Sequence, residues 1–255
     1  VTQLLEGHVS ARSEKKPSPE IMERPTALPY GYETRTRASV QVQQGCDQAC
    51  TFCVIHRARG PSRSFDEAHI LRQIGNFVNA GFCEVVICGV DLGSYVTADA
   101  EDGSGLALTS LLKKVTQLPG AFRIRLSSID PVHLTDDLLA VLSDPDRFCP
   151  YLHVSIQSGS TLILKRMKRR YDREFLKDRL DAARQHIDGL VLGADVMAGF
   201  PTESEQDFAD TADVVDRSKV IYPHVFSFSA RPGTPAARIP RQVPKMERRR
   251  RSAIL

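Results

Sequence analysis

The chain has 255 residues, 42% of them apolar, and 34 Lys and Arg against 31 Asp and Glu give a net charge of +3. This length and composition suit one α/β barrel and exclude a disordered chain, and no apolar run is long enough to span a bilayer. With no secretory signal pattern and three of the six cysteines within eight positions, the sequence predicts a cytoplasmic, reducing location and metal or cluster ligation rather than disulfides.

The character of the chain changes twice along its length. Residues 1–36 are polar and rich in Pro, Glu, Lys and Arg, and we interpret them as a linker or the tail of a missing N-terminal domain. Residues 37–238 are predicted to form the folded core. Residues 239–255 are a basic segment, predicted to lead to a missing RNA-binding domain. Because the chain starts at Val1, we expect a fragment of a longer protein.

Strand-like and helix-like segments alternate from Ala38 onward, which is typical of βα units around a parallel sheet. Strands are predicted at 39–43, 84–88, 122–126, 152–156, 190–197 and 220–228, and helices at 65–80, 106–118, 135–142, 161–167, 173–186 and 202–216. A capping box of Thr202 with Glu205 is predicted to begin the last helix. Six units are fewer than the eight of a closed barrel, so the pattern predicts a partial (β/α)6 TIM-like barrel. Its reactive groups are expected at the carboxyl ends of the strands.

The first strand is followed by a loop that carries Cys46, Cys50 and Cys53. Three thiolates can bind three irons of a 4Fe-4S cubane and leave the fourth iron open to chelate a substrate's amino and carboxylate groups. Clusters that only carry electrons usually have four Cys ligands, so three indicate chemistry at the metal. The alternative is a structural zinc site, which needs four ligands; His56 has the spacing to be the fourth.

The cysteine spacing with Phe52 at its aromatic position is the radical SAM signature, named for S-adenosylmethionine (SAM). Further motifs follow in order at 59–64, 89–95, 125–131, 153–169, 195–203 and 228–234. From about residue 37 to 235 the chain resembles the radical SAM methylthiotransferases. The run Gly-Val-Asp-Leu-Gly-Ser-Tyr at 89–95 is most similar to the MtaB type.

This resemblance implies a transferase that adds a methylthio group to an N6-threonylcarbamoyl-modified adenosine next to the tRNA anticodon. A 4Fe-4S cluster on the three cysteines would reduce SAM to a 5′-deoxyadenosyl radical, with flavodoxin or ferredoxin as the electron donor. A second 4Fe-4S cluster is expected only in the missing N-terminal domain, since no Cys precedes Cys46. The competing hypotheses are another class of radical SAM enzyme, a ribosomal-protein methylthiotransferase, and a non-catalytic iron–sulfur or zinc module that contacts RNA. The oligomeric state is not predicted.

The same resemblance assigns cofactor-binding roles to residues at the strand ends. Phe52 would lie by the SAM adenine, Gly89 and Asp91 near its amino group, and Ser155 and Gln157 beside it on the fourth strand. Asp195, Gly199 and Phe200 would lie near the ribose and adenine. Simpler interpretations remain: residues 199–201 as a strand-to-helix turn, Asp91 as a turn cap, and Gln157 as a backbone partner.

Other chemically notable residues have structural interpretations. His153 lies in an apolar strand and is interpreted as a core histidine rather than a ligand. Cys83, Cys88 and Cys149 are interpreted as structural thiols. The basic clusters at 165–170 and 245–251 are either solvated faces or contacts for RNA phosphates.

Overall fold

The computed structural model describes residues 21–22, 35–97 and 106–255. The predicted N-terminal linker therefore lies almost entirely outside the described residues. The strands are β1 (Ile21–Met22), β2 (Ala38–Gln44), β3 (Arg63–Phe65), β4 (Glu84–Gly89), β5 (Arg123–Leu126), β6 (Tyr151–Gln157), β7 (Val191–Ala198) and β8 (Val220–Ser227). The α-helices are α1 (Ile55–Ala58), α2 (Glu67–Asn79), α3 (Leu106–Thr116), α4 (Asp136–Leu142), α5 (Thr161–Arg166), α6 (Arg173–His186), α7 (Glu205–Arg217) and α8 (Lys245–Ile254).

Six of these strands are parallel and follow one another in chain order. Strands β2, β4 and β5 pair in one sheet, and β6, β7 and β8 pair in a second. A parallel bridge between Ile129 and Val154 joins the two sheets. Helices connect the successive strands, so the predicted partial (β/α)6 barrel is confirmed.

The strands of the second sheet have one apolar and one polar face. Leu152, Val154 and Ile156 of β6 are buried in the main core, which also contains Leu180 of α6 and Val214 of α7. Because side chains alternate along a strand, the remaining residues of β6 lie on the inner face of the barrel. His153 is among them, so its interpretation as a core histidine is wrong. Its side chain is 21% exposed and pairs with Asp195.

The start of α7 differs from the predicted capping box. Ser204 is the N-cap, its hydroxyl accepts from the Asp207 backbone N–H, and the Asp207 carboxylate accepts from the Ser204 backbone N–H. Thr202 has a φ of +70° and lies in the preceding turn. Both pairs have the same spacing, and the left-handed turn at Thr202 moves the helix start by two residues.

The basic C-terminal segment contains α8, which packs against β7 and β8. Arg251 of this helix is buried and pairs with Glu203. The three isolated cysteines differ in exposure: Cys149 is buried, Cys88 is partly buried and Cys83 is exposed. None of the helices in the described ranges has the length and apolar character needed to cross a membrane.

Candidate active site

One cavity lies at the carboxyl ends of the strands, where the barrel fold was expected to place it. It encloses about 650 Å³, part of it open to solvent. Its lining residues come from the cysteine loop, from the ends of β4, β5 and β6, and from the turn after α5: Cys46, Gln48, Cys50, Phe52, Cys53, Ile55, Val90, Asp91, Leu92, Ser128, Asp130, Ser155, Gln157 and Arg169.

The path of the cysteine loop is fixed by its backbone. Gly45 has a φ of +76°, and a Cβ atom at this position would lie 1.8 Å from the Pro61 carbonyl oxygen. Only glycine fits so close an approach with this left-handed conformation. The Thr51 backbone N–H donates to the Met167 carbonyl at 3.1 Å, and the Ala236 N–H donates to the Thr51 carbonyl at 2.9 Å. The loop is therefore held on both sides of Cys50.

The three cysteine sulfurs all face this cavity, but they do not form a compact site for one ion. A tetrahedral zinc ion with bonds of about 2.3 Å needs sulfurs ~3.8 Å apart. Groups of His, Cys, Asp and Glu ligand atoms within 4.8 Å of one another, sought among the described residues, include neither the three cysteines nor His56. As placed here, the three cysteines are therefore not gathered around one ion, which disfavours the zinc alternative.

The surroundings of the sulfurs also suit a cluster. Each sulfur accepts a hydrogen bond: Cys46 from the Gln48 backbone N–H at 3.4 Å, Cys53 from the Ile55 backbone N–H at 3.4 Å, and Cys50 from the Arg169 guanidinium at 3.5 Å. Burial raises the pKa of the Cys46 thiol to about 11 and also raises the pKa of Cys53. These thiols stay protonated at neutral pH until a metal displaces the proton. The donor set therefore fits an iron–sulfur group.

Phe52 extends from the same loop into the cavity wall. Its ring packs against the smaller apolar cluster, which contains Met167, Met197, Phe200 and Phe228. Phe52 also lines the cavity, so it lies between this cluster and the cavity. This placement leaves an aromatic surface available to a flat ligand group.

Asp91 supplies a buried carboxylate at the end of β4. Its Oδ2 accepts from Gln48 Nε2 at 3.0 Å and from Ser94 Oγ at 2.7 Å, and His133 Nε2 lies 3.6 Å from Oδ1. Burial raises the pKa of Asp91, but the hydrogen bonds from these three side chains outweigh it and bring the pKa to about 2. The carboxylate is therefore ionised at neutral pH and can bind a cationic group.

The depressed pKa of Asp91 predicts a pH-dependent contribution to stability. Because the folded pKa lies below the unfolded value, the contribution of about 2 kcal/mol is present above pH ~5 and decreases as the pH falls toward 2. Urea unfolding of the wild type and Asp91→Asn should show the largest difference at pH 7 and a smaller one at pH 3. A difference that does not change with pH would contradict this assignment.

Gln157 ends β6 in a strained conformation that points to a ligand. Its φ is +64°, which is uncommon for a residue other than glycine. Its Oε1 atom is buried and receives no hydrogen bond from any residue that the structure describes. A buried acceptor without a donor costs about 1–3 kcal/mol, so this oxygen suits a donor supplied by a bound molecule. Ser155, two residues earlier, lines the same cavity.

Sequence reasoning missed Arg169 and Asp130 as cavity residues. The Arg169 guanidinium is 8% exposed and lies 2.6 Å from Asp130 Oδ2. It also donates to the Ser155 carbonyl at 3.2 Å, and its cation lies 5.1 Å from the centre of the Tyr171 ring. Asp130 follows β5, so the rule that reactive groups lie at strand ends could have identified it. Arg169 lies in a run of basic residues, and the sequence does not distinguish it from its neighbours.

Four of the residues assigned by resemblance do not line the cavity. Gly89 ends β4 where a Cβ atom would lie 2.9 Å from the Leu92 Cα atom, so it permits the close turn that positions Asp91. Phe200 is fully buried in the smaller apolar cluster, and Gly199 packs against the Arg248 side chain. Asp195 pairs with two histidines on the inner face of the barrel. Their roles toward SAM stay predictions.

The two basic clusters are only partly available to an RNA. In the first, Lys165, Lys168 and Arg170 are exposed, whereas Arg169 is turned into the cavity. In the second, Arg249 is exposed, but Arg250 and Arg251 form ion pairs with glutamates. For the exposed members, a solvated face and contacts to RNA phosphates both stay predictions.

Comparisons with known proteins agree with the geometry. The model of the radical SAM superfamily matches residues 40–215. The threonylcarbamoyladenosine tRNA methylthiotransferase MtaB of Bacillus subtilis is 41% identical over 83% of this chain and 46% of its own length. The tRNA-2-methylthio-N(6)-dimethylallyladenosine synthase of Acidothermus cellulolyticus is 37% identical over 86% of this chain and 44% of its own. The chain thus spans about half the length of these relatives, and the predicted resemblance is confirmed.

A solved structure has the same fold. The radical SAM methyltransferase TsrM from Kitasatospora setae has a TM-score of 0.67 and 14% identity, over 87% of this chain and 40% of that chain. At this identity the likeness concerns the barrel alone.

Proposed function

The chain belongs to the radical SAM superfamily, and we propose that it is the SAM-cleaving core of a tRNA methylthiotransferase. Members of this superfamily use a 4Fe-4S cluster and SAM, which are the cofactors expected from the cysteine loop. The observation that carries the proposal is the set of three cysteines that line one cavity together with Gln157, whose buried Oε1 has no hydrogen-bond partner among the described residues.

The cavity residues divide into two groups by what they would bind. Cys46, Cys50 and Cys53 would hold three irons and leave the fourth free. When bound, the cluster would supply the electron that cleaves SAM into methionine and a 5′-deoxyadenosyl radical. The Arg169 guanidinium beside Cys50 stabilises negative charge on that sulfur and is itself held by Asp130.

The remaining residues would bind and orient SAM. The ionised Asp91 carboxylate suits the ammonium group of its methionine part. The Phe52 ring gives a flat apolar surface for the adenine, and Gln157 Oε1 accepts a hydrogen bond from a SAM donor group. The apolar residues Val90 and Leu92 complete the wall.

The substrate that fits this proposal is an N6-threonylcarbamoyl-modified adenosine next to the tRNA anticodon, the modification printed in the names of several relatives. Exposed Lys165, Lys168 and Arg170 would contact the RNA phosphates. A flavodoxin or ferredoxin would donate the electron, and the cytoplasm would be the place of action. A second cluster in an N-terminal domain would supply the sulfur.

The test is the product found in the RNA. Full-length protein that includes the N-terminal domain, reconstituted anaerobically with SAM, a reductant and an anticodon stem-loop that carries the threonylcarbamoyl base, should yield the 2-methylthio nucleoside, detected by mass spectrometry. If SAM is cleaved but the nucleoside is unchanged, the protein belongs to another class of radical SAM enzyme.

A further inference from the structure

A second polar cluster lies on the inner face of the last three strands, and none of its residues lines the cavity described above. Asp195 of β7 accepts two hydrogen bonds on one oxygen: its Oδ1 atom lies 3.1 Å from His153 Nε2 and 3.0 Å from His224 Nδ1. His224 is the register partner of Asp195 on β8, and His153 comes from β6. Three rigid strands therefore bring these side chains together.

This cluster lies on the same inner face of the barrel as part of the active-site cavity wall. His153 precedes Ser155 by two residues, so both side chains lie on the same face of β6, and Ser155 lines the cavity. Two residues of a strand span about 7 Å. The cluster therefore lies about one side-chain layer from Ser155 along the same face of the barrel, although none of its three residues lines the cavity itself.

Neighbouring residues hold the cluster in one arrangement. His153 Nε2–H donates to Asp195, so Nδ1 is left to accept from the Tyr151 hydroxyl at 3.0 Å. The Tyr151 ring lies 5.1 Å from the Arg125 guanidinium, which pairs with Glu84. A Cβ atom at Gly193 would lie 2.3 Å from the Tyr151 hydroxyl, so the glycine leaves room for this chain of contacts.

The cluster keeps hydrogen-bonding capacity for a ligand. Asp195 Oδ2 has no hydrogen-bond partner among the described residues, and the Asp195 side chain is 20% exposed. His224 is 73% exposed and directs Nδ1 to Asp195, which leaves Nε2 free of described partners. Burial raises the pKa of Asp195, but the hydrogen bonds from both histidines lower it overall, so the carboxylate is ionised.

These groups suit a polar ligand and disfavour an apolar one. An N–H or O–H group can donate to Asp195 Oδ2, and a hydroxyl can donate to His224 Nε2, the acceptor nitrogen of a neutral ring whose Nδ1–H faces Asp195. An apolar group in the same place would remove water from an ionised carboxylate without replacing its hydrogen bonds. Sites built to hydrogen-bond a substrate reject analogues that lack the polar group for this reason.

We propose that His153, Asp195 and His224 form the site that recognises the substituent on N6 of the target adenosine and selects a polar one. This inference rests on the proposed function. A threonylcarbamoyl group carries N–H, hydroxyl and carboxylate groups, whereas a dimethylallyl group carries none. The cluster thus selects between the two modifications after which the chain's relatives are named.

The test is the ratio of the binding affinities for two modified RNAs, and its measurement needs no SAM cleavage. Anticodon stem-loops with threonylcarbamoyl-, dimethylallyl- or unmodified adenosine are titrated into the protein. The wild type should prefer the threonylcarbamoyl loop over the dimethylallyl loop at least about tenfold, or ~1.4 kcal/mol. His224→Ala and Asp195→Asn should reduce this ratio to about threefold or less. The unmodified loop checks folding, because phosphate contacts bind all three loops.

Exposed residues of the same types serve as matched controls. His186→Ala at the end of α6 and Asp216→Asn at the end of α7 should keep the wild-type ratio. Wild-type protein that binds both modified loops equally, or variants that keep the full ratio, would overturn the inference. The inference would also be overturned if the wild type bound one equivalent of zinc and His224→Ala bound none, because the cluster would then be a metal site. A ratio that behaves as expected without any methylthiolated product would instead reject the proposed function alone.

Discussion

Cys50→Ala is expected to lose its iron–sulfur cluster and to release 5′-deoxyadenosine from SAM at least about 100-fold more slowly than the wild type. Substitution of a residue that only orients a metal ligand lowers metal affinity or activity ~10–100-fold. Removal of a ligand itself is expected to lower them more. Cys50 is the most buried of the three cysteines, and the Arg169 guanidinium lies on its sulfur. Its loss leaves this cation facing two remaining thiols and an incomplete iron site.

Iron content, visible absorption and 5′-deoxyadenosine release measure this effect after anaerobic reconstitution. Cys83→Ala is the matched control, because Cys83 is an exposed free thiol between α2 and β4. The control should keep the iron and the activity of the wild type. Cys50→Ala with full iron content and full SAM cleavage would show that the three cysteines are not the ligands.

Arg251→Met is expected to lower the free energy of unfolding by about 3 kcal/mol, the lower end of the range for breaking a buried ion pair. The Arg251 and Glu203 side chains are 6% and 0% exposed, and Nη1 lies 2.7 Å from Glu203 Oε2. Burial raises the pKa of Glu203 even with the arginine present. Without Arg251, the carboxylate keeps only the Gly199 backbone N–H as a described donor, at 2.8 Å.

Urea unfolding measures this loss, with Arg249→Met as the control because Arg249 is exposed on the same helix. The control should change the unfolding free energy by less than about 0.5 kcal/mol. Adding Glu203→Gln to Arg251→Met should recover part of the stability, because the buried charge is then removed. Equal destabilisation by both arginine variants would show that α8 is not held to the barrel by this pair.

The barrel was predictable because its signals are local. The apolar strands, the Gly and Pro breaks between them and the helix α6 at 173–186 follow from residues next to one another in the chain. The cysteine loop was predictable for the same reason, since three ligands within eight positions need no knowledge of the fold.

The features that the sequence did not predict depend on the direction in which the backbone turns and so on where each side chain points. Lys168 has a φ of +61°, and the bend there directs Arg169 into the cavity while Lys168 and Arg170 face solvent. A run of adjacent basic residues has no pattern that reveals this. His153 was misassigned because alternation shows that a strand has two faces but not which face meets the helices. The partners of His153, Asp195 and His224, lie on other strands.

The most direct test of the central claim is the release of 5′-deoxyadenosine by the anaerobically reconstituted and reduced protein when SAM is added. We predict that 5′-deoxyadenosine and methionine appear in equal amounts. Protein that carries a full 4Fe-4S cluster but releases no 5′-deoxyadenosine would contradict the claim that this three-cysteine cavity cleaves SAM.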